Sequence, residues 1–214
     1  MKILTFSIAA LLTTSVLVAQ PRELQKADEL YNNYAYVDAI KIYEKIAKKG
    51  YESQELLERL GNAYYYNAEY KNALPWYEKL FEEGKYNVKP EYYYRYAQAL
   101  KTEKRYEESD ALMAKFSELT DNKDSRAILF EENKDYQKVI QGNSDRLEVH
   151  PVNINTAFSE YGVAFYGDNK VVFTAANSAK ATRWSVSKWT GDSFYDLYIA
   201  DCDKETLTNK KLFS

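Results

Sequence analysis

The chain has 214 residues, with 29 basic and 32 acidic side chains and a net charge of −3, and its charges alternate without a basic stripe. That pattern excludes the electrostatic footprint of a nucleic-acid binder. A single cysteine, Cys202, rules out an intrachain disulfide, and a single histidine, His150, leaves too little for a histidine metal cluster.

Met1 and Lys2 are a short basic start, residues 3–18 are an apolar run, and Ala19 is a small residue before Gln20. This predicts a secretory signal peptide over 1–19. The run is short for a spanning helix, and no cysteine follows it for lipid attachment. No later segment is long and apolar enough to span a bilayer, so no transmembrane segment is expected after signal removal.

A repeat then begins. Tyr36, Ala39, Ile40, Tyr43 and Ile46 recur 34 residues later as Tyr70, Ala73, Leu74, Tyr77 and Leu80. A period of that size marks stacked helix–turn–helix units, each burying its apolar face on a neighbour. In the second unit, Leu56, Leu57, Leu60, Ala63 and Tyr64 make one amphipathic stripe, and Ala73, Leu74, Tyr77, Leu80 and Phe81 make the next. Asn67, Ala68 and Glu69 form the corner, while Gly50 and Gly84 act as helix stops. Gly61 and Ala27 are equivalent, and a small residue there allows two helix backbones to approach. Pro75 inside a second helix predicts a kink or a late helix start. The third unit is displaced by 36 residues, so that Tyr106, Ser109 and Met113 match Tyr70, Ala73 and Tyr77, with the two extra residues falling between Gly84 and Pro90. Residues 125–140 form a final partial unit, atypical as terminal units are.

Leu57, Leu60, Gly61, Tyr64, Ala73 and Tyr77, at this period, resemble the tetratricopeptide repeat. The resemblance implies an all-α array over residues 20–142 with a partner-binding groove lined by its first helices. Residues placed on that face by helical spacing are Asp28 and Tyr31, then Glu58, Asn62 and Tyr65, then Tyr94, Gln98 and Lys101. Tyrosine suits such a groove because it offers large area, few rotors and one polar tip; packing between helices is the competing role for each ring. Glu58 is acidic where a clamp for chaperone C-terminal carboxylates would need a cation.

Past Gly142 the period changes. Residues 143–157 read as a linker, with Val149 to Asn155 extended or forming an edge strand around Pro151. Tyr161 to Tyr166, the Gly167-Asp168-Asn169 turn and Lys170 to Ala175 make a hairpin. A polar stretch with Arg183, Trp184, Trp189 and Gly191 precedes a third strand, Tyr195 to Ala200, and a turn over 201–209 precedes a fourth from Lys211. Four short strands over 158–214 resemble the first blade of a WD40-like β-propeller. The expected class is therefore α+β multidomain, a tetratricopeptide array followed by about one propeller blade.

This order behind a signal peptide is similar to the N-terminal portion of a multidomain OmpA-family envelope protein. The resemblance implies an exported, non-catalytic scaffold in the periplasm, associated with the outer membrane. It would bind other envelope proteins or peptides, with peptidoglycan contact confined to a C-terminal domain not present in this sequence, so the chain is expected to be partial. The alternatives are the front of a periplasmic hydrolase and a glycan-binding helical-repeat protein. No catalytic, cofactor or metal constellation stands out. His150 lies beside Pro151, Asp192, Asp196, Asp201 and Asp203 lack the spacing of a calcium loop, Glu107-Glu108 and Glu131-Glu132 lie on solvated faces, and the seven glycines form no phosphate loop.

Overall fold

The computed structural model describes residues 22–82, 84–144, 146–176, 186–204 and 206–213. The signal segment, with Arg183 and Trp184, lies outside them. Eight described helices precede four strands: α1 (Arg22–Asn32), α2 (Tyr36–Lys48), α3 (Gln54–Tyr66), α4 (Tyr70–Leu80), α5 (Pro90–Thr102), α6 (Tyr106–Leu119), α7 (Ser125–Glu132), α8 (Tyr136–Asn143), β1 (Glu160–Phe165), β2 (Lys170–Ala176), β3 (Tyr195–Asp203) and β4 (Thr206–Leu212). The chain is α+β, with a helical-repeat array followed by an antiparallel sheet. No described helix is long and apolar enough to cross a membrane.

Each repeat is a helical hairpin stacked on the next, α1 on α2, α3 on α4 and α5 on α6, joined through α2–α3, α4–α5 and α6–α7. The corners are copies of one another. Tyr34, Ala68 and Lys104 are left-handed at φ 58°, 58° and 61°. The next residue's N–H reaches back to Leu30, Tyr64 and Leu100 carbonyls at 2.9, 2.9 and 3.0 Å, closing the helix end. Ala39, Ala73 and Ser109 are fully buried at the helix crossings. Ser109 is tolerated there because its hydroxyl donates to the Ala97 carbonyl at 2.8 Å.

Two local expectations are corrected. Of the two outcomes expected at Pro75, the late start does not occur: helix α4 starts at Tyr70 and continues through Pro75. Pro75 and Lys71 are exposed, so water can serve the Lys71 carbonyl that proline leaves without a donor. Gly61 makes room for a ring rather than a backbone: a Cβ there would lie 2.7 Å from Tyr77 Cε1.

The sheet is a meander in the order β1-β2-β3-β4, every pair antiparallel. Gly162, at φ +69°, sits in the register break of β1 between Tyr161 and Ala164, where an extra residue bends the strand. Val171, Phe173 and Ala175 alternate inward on β2 and pack with Ala200 and Leu207. The cover on that face comes from the segment expected to be extended. Residues 152–155 instead form a turn that places Val152 and Ile154 on the core. Asn153 pins this turn to β4, donating to the Leu207 carbonyl at 2.8 Å and accepting from its N–H at 2.9 Å. The last reversal is tighter than expected: β3 runs to Asp203, Lys204 turns at φ 52°, and β4 starts at Thr206 because Leu207 is buried.

Candidate binding groove

The eight groove candidates fall into two groups. Asp28 Oδ1 accepts the Tyr43 hydroxyl at 2.6 Å and stands 3.5 Å from Arg59. Asn62 is buried, and its Oδ1 accepts the Tyr77 hydroxyl at 3.0 Å. Glu58 accepts from Tyr92 at 3.0 Å and from Gln54 at 2.8 Å. Tyr31 is half-buried beneath the Arg59 guanidinium, 5.4 Å from its ring centroid. Asp28, Asn62 and Glu58 thus spend side-chain oxygens on tying helices together, and the Tyr31 ring is covered by Arg59. Burial raises the Tyr43 and Tyr77 phenols well above their ordinary value; at Tyr43 the Asp28 bond adds to the rise.

The third repeat breaks this pattern. A tyrosine of the second helix bonds a polar residue 15 positions earlier in the first two repeats, Tyr43 to Asp28 and Tyr77 to Asn62. The corresponding pair is Met113 and Gln98. Methionine has no hydroxyl to offer, so the Gln98 amide is left facing the groove.

Around it opens a pocket of about 320 Å³ whose walls include Tyr94, Gln98, Lys101 and Met113 from α5 and α6, with Arg126, Phe130 and Tyr136 beyond them. It adjoins a groove of about 560 Å³ that Tyr65, Tyr94, Gln98 and Lys101 line together with Tyr70, Tyr106 and Tyr136. The structure thus gathers Tyr65, Tyr94, Gln98 and Lys101, and leaves Asp28, Tyr31, Glu58 and Asn62 apart from them.

The two cations of the pocket differ. Arg126 is committed: it reaches Glu91 at 2.8 Å and Asp124 at 2.9 Å and lies 4.4 Å above the Tyr94 ring. Lys101 has no ion pair among the described residues; its ammonium lies 4.2 Å from the Tyr136 centroid and 5.9 Å from that of Phe130. Burial lowers its pKa, opposed by the more distant Asp110. A half-buried cation on aromatic faces, beside a free amide, can receive a carboxylate or carbonyl oxygen while the rings hold an apolar group.

Sequence spacing missed Arg126, Phe130 and Tyr136, which supply the far wall. Tyr136 had a visible signal, since it opens α8 as Tyr36, Tyr70 and Tyr106 open α2, α4 and α6. Among the described residues no cluster of three or more histidine, cysteine or acidic side chains could hold a metal ion.

No family model and no curated protein matches the chain. Among solved structures it is similar to the C-terminal part of a TPR repeat-containing protein from Cytophaga hutchinsonii, with 24% identity and a TM-score of 0.40. That match covers 45% of this chain and 38% of the other.

Proposed function

We propose that the chain is a non-catalytic scaffold that binds a protein partner in the groove of its third repeat. The observation that supports this most is the vacancy beside Met113: the first two repeats close the equivalent position with a tyrosine hydroxyl, whereas among the described residues the third leaves Gln98 without a hydrogen bond and Lys101 without an ion pair, between aromatic walls. The partner segment that fits is an extended peptide with an apolar or aromatic anchor next to an acidic side chain, the anchor lying against Tyr94, Phe130 and Tyr136 and the carboxylate on Lys101. Export by the N-terminal segment, a location at the outer membrane and a place among OmpA-family envelope proteins are part of the proposal. They rest on the sequence resemblance, as does reading the four-stranded meander as a propeller blade.

A photo-crosslinking residue in place of Gln98 should capture the partner from envelope extract, and Lys101→Ala with Tyr136→Ala should reduce capture roughly ten-fold or more. The same residue at exposed Asn72 is the control. Equal capture by the folded double variant, or equal labelling from both positions, would remove the groove as the binding surface. Recovery of a purely cytoplasmic protein with intact Met1 would sink the envelope assignment while leaving the groove in place.

A further inference from the structure

Trp189 is an aromatic side chain that neither the groove nor the sheet core uses. It tips a small reversal within residues 186–193. Val186 bridges Ser193, and the Ser187 and Gly191 N–H groups donate to the Asp192 and Ser187 carbonyls, each at 2.8 Å. The Ser187 hydroxyl oxygen accepts the Trp189 N–H at 3.2 Å, which sets the indole at the tip.

This tip rests on the first repeat and on the C-terminal end of α3 in the second. The indole lies nearly parallel to Tyr34, 7° between planes and 5.7 Å between centroids, and meets Tyr36 edge-on at 5.1 Å. Its Nε1–H donates to the Tyr66 carbonyl at 3.2 Å, so the apolar face and the polar edge are both matched. Gly191, at φ +79°, backs onto Val37, where a Cβ would stand 3.3 Å from Cγ2.

Tyr36 is a core ring of the repeat and Tyr66 packs against that core, but Tyr34 has no part in it. Tyr34 occupies a left-handed corner, is 61% exposed, and has ring contacts with Tyr36 and Trp189. The equivalent corners carry Ala68 and Lys104, and the position of Tyr66 is Thr102 in the next repeat. Tyr34 and Tyr66 are thus the parts of the seat that the equivalent positions of the next repeat lack.

We propose that Tyr34, Tyr36, Val37 and Tyr66 form a docking surface whose occupant is this chain's own 186–193 reversal, and that this contact fastens the strand region to the N-terminal end of the array, α1 to α3. The substantial packing elsewhere runs helix on helix and strand on strand. Removing the tip therefore frees the sheet to move on its connecting segment while both regions stay folded. The seat is built from residues 34–37 and Tyr66 and the Gln98 pocket from residues 94–136, so the two share no lining residue.

The test is hydrogen exchange on the full chain with two variants that act from opposite sides. Trp189→Ala should speed exchange in peptides covering Tyr34 to Val37, although none of those residues is altered. Val37→Glu should do the same for 186–193. Each should change exchange by roughly ten-fold, the factor corresponding to about 1.4 kcal/mol of contact. Helical ellipticity should be unchanged and the radius of gyration in solution should increase. Exchange at the opposite side that stays at the wild-type rate in either variant overturns the proposal. So does a radius of gyration unchanged in both.

Discussion

The second and third repeats use the same hairpin and the same left-handed corner, yet one is sealed and the other is open. In the second, Tyr77 fills the space beside Gly61 and bonds Asn62. In the third, Met113 stops short of Gln98, and an aromatic pocket remains. A repeat can therefore be turned from structure into surface by one side chain, because the hydroxyl that satisfies a buried amide also occupies the room a ligand would need. The backbone does not have to change.

The comparison is broken most severely at Tyr77. Tyr77→Ala should cost about 3–5 kcal/mol, since it empties a fully buried site and strands Asn62; denaturant melts showing a loss under about 1 kcal/mol would contradict the sealed reading. Equivalent deletions of the polar partner should differ in the same direction. Asn62→Ala leaves the buried Tyr77 hydroxyl without its acceptor and should cost about 1–3 kcal/mol. Gln98→Ala should stay within about 0.5 kcal/mol of wild type. Equal losses would mean that the third repeat is closed as well.

Met113→Tyr sharpens the contrast by adding the missing hydroxyl. The new phenol should reach Gln98 and change stability by less than about 1 kcal/mol, while partner capture falls roughly ten-fold. Retained capture would show that the open space is not the site. The smallest expected effect concerns acid. Burial raises the Glu91 pKa, but the hydrogen bond from Arg126 and the charges of Arg95 and Arg126 outweigh it, and the net shift is downward from 4.5. A carboxylate depressed in the folded state contributes stability above its unfolded pKa and loses it as pH falls through the folded value. Thermal melts of wild type should therefore decline below about pH 4.5 more steeply than those of Glu91→Gln. Parallel slopes would remove Glu91 as the acid-sensitive tie between α5 and α7.

Much of the array was legible in the sequence, because a 34-residue shift and the stripes of Leu56–Tyr64 and Ala73–Phe81 are local patterns that backbone periodicity imposes. The face shared by Tyr94, Gln98 and Lys101 follows from the same spacing. What could not be read was which polar groups were already taken. Asp28 and Asn62 look as available as Gln98 until Tyr43 and Tyr77 are seen to reach them, and reach depends on side-chain length across a helix crossing. The far wall of the pocket was hidden because the terminal unit departs from the repeat. The start of β4 was missed because Thr206-Leu207-Thr208 is too short an alternation to outweigh the polar residues around it. The Trp189 seat joins residues more than a hundred positions apart, and no local pattern announces it.

Burial falls away at the C-terminal end of the array: α3 buries seven of its residues and α4, α5 and α6 four each, whereas α7 buries only Ala127 and α8 none. The wall that completes the pocket, carrying Phe130 and Tyr136, therefore belongs to its least anchored turn. Helices with so little buried surface are expected to open at a small free-energy cost, which would make the assembled cavity one state of a local equilibrium. A guest would then select that state, and its measured affinity would be the intrinsic one scaled by the fraction of time α7 and α8 are docked. Occupancy should then slow amide exchange throughout α8, beyond Tyr136 itself. Tightening the end of the array should strengthen capture without adding a single contact.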